Sequence, residues 1–229
     1  MVPHDDAAAR GVMLDRVRLT VGQGRAERVL IDQATASFEP GEMACVVGPS
    51  GAGKTSLLRA IAGLAPVQGG TLRVSGQDVA ALSDKRKLAL RRRSVATVFQ
   101  EYGLVDILTA QENVRLGIEL ATGKRRRGGT GGLFAQLGLT GLEDEFPATL
   151  SGGEQQRVAI ARALAASHPV VLADEPTGAL DAGNTANVVA RLRLIADAGR
   201  CLVIATHDDA VAAAADSVWQ ISGQRLVPA

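Results

Sequence analysis

The chain of 229 residues has little with which to build a disulfide framework: its two cysteines, Cys45 and Cys201, each lie inside an apolar run that reads as an inner strand. A thiol placed there behaves as a small hydrophobe, not as a bridging or reactive group, and fits a reducing compartment. A dominant charge of one sign is also missing. Lys and Arg number 25 against 24 Asp and Glu, and a formal net charge of +1 gives no electrostatic case for a nucleic-acid surface. Nucleic acid is therefore not expected as a partner. No stretch reaches about eighteen uninterrupted apolar residues. The start, Met1-Val2-Pro3-His4-Asp5-Asp6, has neither the basic opening nor the apolar core of a secretory signal. The expectation is a soluble, cytoplasmic chain, long enough to bury a substantial core in one large domain or in a core with a small second lobe.

What is present is an alternation of strand and helix signals. Residues 1–10 are polar and alanine-rich and read as frayed. Leu14, Val17, Leu19 and Val21 alternate roughly with Asp15, Arg16, Arg18 and Thr20, which predicts a half-exposed strand. The turn Gly22-Gln23-Gly24 leads to a second strand near residues 29–38, closed by Glu39-Pro40-Gly41, and the pair predicts an antiparallel β region. Met43-Ala44-Cys45-Val46-Val47 reads as a buried strand. Further on, Gly63 and Pro66 stop a helix, Gly69-Gly70 turns the chain, and Thr71-Leu72-Arg73-Val74 is another strand. The basic residues 85–93 read as a solvated face. A strand over 95–99 is followed at once by Gln100.

Residues 102–147 lose the β-branched runs, and 110–120 and 133–137 read as helices around the basic loop Lys124-Arg125-Arg126-Arg127-Gly128-Gly129. This predicts a helical subdomain inserted between 1–101 and 148–229. Strands return at Val170-Val171-Leu172-Ala173 and Cys201-Leu202-Val203-Ile204-Ala205, with Val188, Leu192 and Ile195 marking a helix face between them. The class is α/β, with a mainly parallel sheet covered on both faces.

Three stretches carry chemistry. Between the buried strand and Ser56-Leu57-Leu58-Arg59-Ala60-Ile61 lies Gly48-Pro49-Ser50-Gly51-Ala52-Gly53-Lys54-Thr55, the spacing of a P-loop. Its glycines let backbone N–H groups approach a phosphate, and the helix N-terminus adds partial positive charge at the same spot. Lys54 is expected to reach the β- and γ-phosphates and Thr55 to bind magnesium. Kinase, GTPase and ATPase all remain open at this point. The strand over 170–173 ends in Asp174-Glu175, at the carboxyl end where α/β sheets bind ligands: Asp174 suits a magnesium ion and Glu175 a general base for attacking water. Finally, in Leu150-Ser151-Gly152-Gly153-Glu154-Gln155-Gln156-Arg157, Ser151 and two glycines open a helix running from about residue 154 to 166. That end reads as a second anion site or as an ordinary helix cap.

Leu-Ser-Gly-Gly-Glu-Gln together with this P-loop and Asp-Glu resembles the ATP-binding-cassette (ABC) ATPase family, and the resemblance covers about residues 14–226. It implies a P-loop NTPase (RecA-like) core with an antiparallel β region and a small helical subdomain. ATP would be held by residues 48–56, from Gly48 to Ser56, and magnesium by Thr55, Gln100 and Asp174. Catalysis would fall to Glu175, His207, Lys54 and Gln100, where Gln100 matches the Q-loop and Thr206-His207-Asp208 the switch histidine. Leu150, Ser151, Gly152, Gly153, Glu154 and Gln155 match the signature, which acts in trans, and Ala179, Leu180 and Asp181 the D-loop. The implied partners are a second copy of the chain, or a homologous ATPase, paired head to tail, and an integral-membrane permease on the inner face of the cell membrane.

Val98-Phe99-Gln100, Leu108-Thr109-Ala110-Gln111-Glu112-Asn113-Val114 and Ala173-Asp174-Glu175-Pro176-Thr177-Gly178 resemble the branch that serves macrolide-exporter, lipoprotein-release and FtsX-type permeases. A non-transport cassette, acting as a scaffold or mechanical switch, is the alternative. One position departs from the family: the aromatic residue that stacks on adenine falls near Thr20 or Val21, and neither can stack. Such stacking contributes about 1–3 kcal/mol per base. Its loss predicts weak discrimination between ATP and GTP.

Overall fold

The computed structural model describes residues 11–22, 24–98, 102–124, 130–177 and 182–229. In chain order, β1 (Val12–Val21) and β2 (Arg28–Phe38) are followed by β3 (Met43–Val47) and α1 (Lys54–Ile61). Next come β4 (Gly69–Val74), the two-residue β5 (Gln77–Asp78), α2 (Asp84–Ser94) and β6 (Val95–Val98). Three helices follow, α3 (Ala110–Thr122), α4 (Gly131–Gln136) and α5 (Gly152–Ala166). The remainder is β7 (Val170–Asp174), α6 (Ala182–Asp197), β8 (Cys201–Ala205), α7 (Asp209–Ala213), β9 (Ser217–Ser222) and β10 (Arg225–Pro228).

These strands make two sheets. The smaller has the order β2-β1-β4-β5 and is antiparallel throughout; the larger has the order β10-β9-β3-β8-β7-β6 and is parallel from β9 to β6, with β10 antiparallel at one edge. A mainly parallel core beside an antiparallel region is what the sequence pattern led us to expect.

The continuous apolar strands are explained by their alternation between two cores. Along β3, Ala44 and Val46 enter one cluster while Met43 and Cys45 enter the other; along β7, Val170 and Leu172 oppose Val171 and Ala173; along β8, Cys201, Val203 and Ala205 oppose Leu202 and Ile204. A period of two with both faces covered leaves no position for a polar residue. The first cluster joins the sheet to the antiparallel region and to Leu57 and Ile61 of α1, the second to Val158 and Ile160 of α5 and to Leu192 and Ile195 of α6. Both cysteines are fully buried, and burial pushes each thiol up to about 12, so neither is a reactive thiolate at neutral pH.

Several elements differ from expectation. Gly69 and Gly70, read as a turn, lie within β4, because the Gly70 backbone passes too close to β1 at Arg16 for any side chain. The C-terminal hairpin of β9 and β10 was not foreseen: Ser217–Ser222 mixes polar and apolar residues and is half-exposed, so it lacks a clean period. The basic stretch 85–93 is helix α2, largely exposed, yet Arg91 donates to the Gly63 carbonyl at 3.2 Å and Arg92 to that of Leu120 at 3.2 Å. Helix α5 begins at Gly152, two residues before the expected Glu154. Ser151 and Glu154 form a reciprocal capping box that outweighs the poor helix propensity of two glycines.

Candidate functional site

The central feature is the turn from β3 into α1. Gly53 precedes the helix with φ 111°, a left-handed conformation, and a Cβ there would meet the Leu30 Cβ of β2 at 3.1 Å. Glycine at this position thus satisfies both the turn and the close passage of the loop over the antiparallel sheet. No side chain caps α1, so its first-turn N–H groups are left for whatever lies before the helix.

An open cavity of about 710 Å³ lies there. It is lined by Gly48, Pro49, Ser50, Gly51, Gly53, Lys54, Thr55 and Ser56, with Glu175 and His207 on one side. Of the P-loop residues only Ala52 turns away, packing against the core. Lys54 is 8% exposed and donates to the carbonyls of Gly48 at 2.8 Å and Pro49 at 3.4 Å, with its Nζ 3.6 Å from Glu175 Oε1. The loop therefore wraps its own cation and holds it against a carboxylate.

The partners of that lysine come from the carboxyl ends of neighbouring strands. Asp174 closes β7, and its Oδ1 accepts from the Thr55 hydroxyl at 3.2 Å. Burial raises the Asp174 pKa above the usual carboxylate value; the Thr55 hydrogen bond opposes this shift and the nearby Glu175 charge adds to it. Glu175, with φ 46°, is anchored by its N–H to the Ala205 carbonyl at 2.8 Å. Its Oε2 accepts from Thr206 Oγ1 at 3.2 Å and the His207 N–H at 3.4 Å, and lies 2.9 Å from His207 Nδ1. One carboxylate oxygen is thus positioned by three groups after β8 while the other faces Lys54.

Two contributors had no role of their own in the sequence pattern. Thr206, fully buried, follows β8 as Asp174 ends β7, and that shared place at the strand ends was the available signal. Arg28, which lines the cavity with Val21 and Leu30, depends on a long-range approach between sheets that no local pattern reveals.

The segment over 150–155 lies elsewhere. None of its residues lines the cavity. Ser151 Oγ accepts from the Glu154 N–H at 3.3 Å, while Glu154 Oε2 accepts from the Ser151 N–H at 2.8 Å and from its hydroxyl at 2.7 Å. The Ser151 hydroxyl bond, before the backbone one, holds the Glu154 carboxyl below its ordinary pKa. Leu150 is buried, and Gln155 Nε2 ties the helix start to the carbonyls of Pro147 at 3.0 Å and Leu150 at 3.1 Å. Gln100 and the residues Ala179, Leu180 and Asp181 lie outside the described residues.

A family model described as ABC transporter matches residues 31–178. An uncharacterised ABC transporter ATP-binding protein of Mycobacterium tuberculosis (strain ATCC 25618 / H37Rv) is 38% identical over 221 residues, spanning 95% of this chain and 89% of that protein. The macrolide export ATP-binding/permease protein MacB of Chromobacterium violaceum is 40% identical over 92% of this chain, which spans 33% of MacB. Among solved structures, the dimeric ABC transporter cassette MJ0796 superposes with a TM-score of 0.81 at 30% identity, covering 94% of this chain and 96% of that one. Its post-hydrolysis dimer bound to ADP and Pi gives a TM-score of 0.83 at the same identity and coverage.

Proposed function

As a member of the ABC transporter ATP-binding family, this chain binds and hydrolyses ATP, and we propose that it does so as one half of a head-to-tail pair whose closure drives a separate membrane permease. The observation that carries the reading is the separation of the two anion-directed elements. Lys54, Glu175 and His207 share one open cavity, while Ser151, Gly152 and Gly153 do not line it in the same chain. A two-fold pairing lets the 151–153 segment of one copy cover the P-loop of the other and close that cavity. The relatives' own names support a transport role, of the macrolide-export kind in MacB.

In this account Lys54 exchanges the Gly48 and Pro49 carbonyls for phosphate oxygens, and the free N–H groups of α1 hold the rest of the phosphate chain. Glu175 takes the proton of an attacking water as its oxygen bonds to the γ-phosphorus and the bond to the β–γ bridging oxygen breaks. Thr206 and His207 keep the Glu175 carboxylate aimed during that transfer. Ser151 must release Glu154 before its hydroxyl can donate to a phosphate on the partner copy.

Thr55 and Asp174 fit a magnesium ion. Both supply hard oxygen ligands, 3.2 Å apart, and burial makes the Asp174 charge costly without a cation beside it. Among the described residues no group of three or more His, Cys, Asp or Glu is arranged to hold a metal, which suits an ion that takes most of its ligands from phosphate and water. When bound, magnesium supplies neutralisation of the charge developing on the phosphates. Gln100 completes the proposed ligand set. Among the described residues no helix is long and apolar enough to cross a membrane, so the proposed place at the inner face of the cell membrane is reached through the permease.

Glu175→Gln tests the assignment. It keeps the side-chain shape and nucleotide binding but removes the proton acceptor, lowering turnover by about 10²–10⁴-fold. Near-normal ATP hydrolysis by this variant contradicts the role given to Glu175.

A further inference from the structure

The cavity beside the P-loop has a second end, away from Glu175, that the phosphate chemistry does not use. Its walls there are Val21, Arg28 and Leu30 from the antiparallel sheet, and among the described residues no Phe, Tyr or Trp lines the cavity. Val21 and Arg28 are Cα partners across the β1–β2 hairpin, so their side chains neighbour each other on one face. The Arg28 guanidinium donates to the Gly51 carbonyl at 3.0 Å, which ties it to the P-loop three residues before Lys54. Arg28 also borders a smaller hollow of about 280 Å³, whose lining shares Leu30, Pro49 and Gly51 with the cavity.

We propose that Arg28 is the base-contacting residue of this nucleotide site, its guanidinium plane lying against the purine face at the Val21 end of the cavity. The inference rests on the ATP reading above. With the terminal phosphate on Lys54 and the attacking water between it and Glu175, the base lies farther along the cavity, and among the described residues Arg28 is the one planar cationic group lining that end. A guanidinium stacks on aromatic faces and is attracted to their π-systems, as a ring would be. The Gly51 carbonyl holds it in place beforehand, so little side-chain freedom is lost on binding. Arg offers donors and no acceptor. Stacking of this kind accepts either purine, and Arg28 has no acceptor with which to read the adenine amino group.

The test compares binding of ATP, GTP and inorganic tripolyphosphate to the wild-type chain and to Arg28→Ala, together with steady-state hydrolysis. The contact predicts that Arg28→Ala weakens ATP and GTP alike by about 3- to 30-fold. KM rises, kcat stays within about twofold, and tripolyphosphate affinity does not change. Val21→Tyr, added to Arg28→Ala, restores ATP affinity by supplying a ring at the same end. Equal loss for tripolyphosphate and ATP overturns the proposal, because Arg28 would then act on the phosphates or on the P-loop itself. Unchanged ATP affinity in Arg28→Ala also overturns it. Failure of the wild-type chain to bind ATP at all would instead remove the reading on which the proposal depends.

Discussion

Replacing Asn113 by alanine removes the polar link between helix α3 and the loop that enters it. Asn113 is fully buried; its Oδ1 accepts from the Val105 N–H at 2.7 Å, and its Nδ2 donates to the carbonyls of Val105 at 3.1 Å, Leu108 at 3.0 Å and Thr109 at 3.1 Å. An amide has two hydrogens for those three carbonyls, so the side chain is worth about three full bonds, each contributing about 0.5–1.5 kcal/mol net. Val105 is partly exposed, and water recovers part of what its backbone loses. The expected destabilisation is about 2–3 kcal/mol, or a fall of roughly 4–12 °C in Tm for a chain of this size. Asn113→Asp is more damaging: it keeps the acceptor, loses every donor at neutral pH and buries a charge. Thermal melts and urea midpoints of the three proteins measure the order. A shift below about 1 °C for Asn113→Ala, or Asn113→Asp no worse than Asn113→Ala, refutes the claim that this network holds the loop to α3.

Two further outcomes follow from burial and backbone geometry. His168 is buried with Nε2 3.1 Å from the Arg92 carbonyl and Nδ1 without a partner; burial lowers its pKa, the Arg92 bond opposes this, and the Arg200 charge adds to it. The unfolded chain then binds a proton that the folded one refuses, so stability is full above about pH 6.5 and falls as pH drops below it. His168→Gln, which does not titrate, shows a smaller loss of urea midpoint between about pH 7.5 and 5.5; equal losses contradict the assignment. Gly70→Ala forces φ 73° on a residue with a Cβ that overlaps the Arg16 carbonyl, and the β1–β4 pairing has to part. The expected cost is about 3 kcal/mol, read as a Tm fall of more than about 6 °C, and a fall of under about 2 °C contradicts the overlap.

Much of this architecture was legible because a fully buried strand must be apolar on both sides. Val170–Asp174 and Cys201–Ala205 announced themselves in that way, and the polar residues directly after them marked the site. The P-loop was legible because its glycines meet a local demand of the backbone. Less visible were features whose cause lies far along the chain. Ser217–Ser222 is a strand because it pairs with β3, not because of its own pattern. Arg28 reaches the P-loop across two sheets, and Thr206 matters only because Glu175 lies beside it. Helix α5 starts two residues before the expected position, because the Ser151–Glu154 capping box takes both glycines into the first turn. Asn113 was noticed as part of a motif, but its four contacts come from a loop conformation that the motif does not spell out.

The central claim is that a cavity built by one copy is completed by Ser151 of another. It is tested most directly by measuring the mass of Glu175→Gln in solution, with and without ATP and magnesium, beside the double variant Glu175→Gln/Ser151→Phe. The account predicts that the single variant shifts from monomer to dimer on adding ATP. The double variant binds ATP with the same affinity as a monomer and stays monomeric, because its P-loop is intact and only the covering surface is lost. Dimers of both variants in ATP, or of neither, would contradict it.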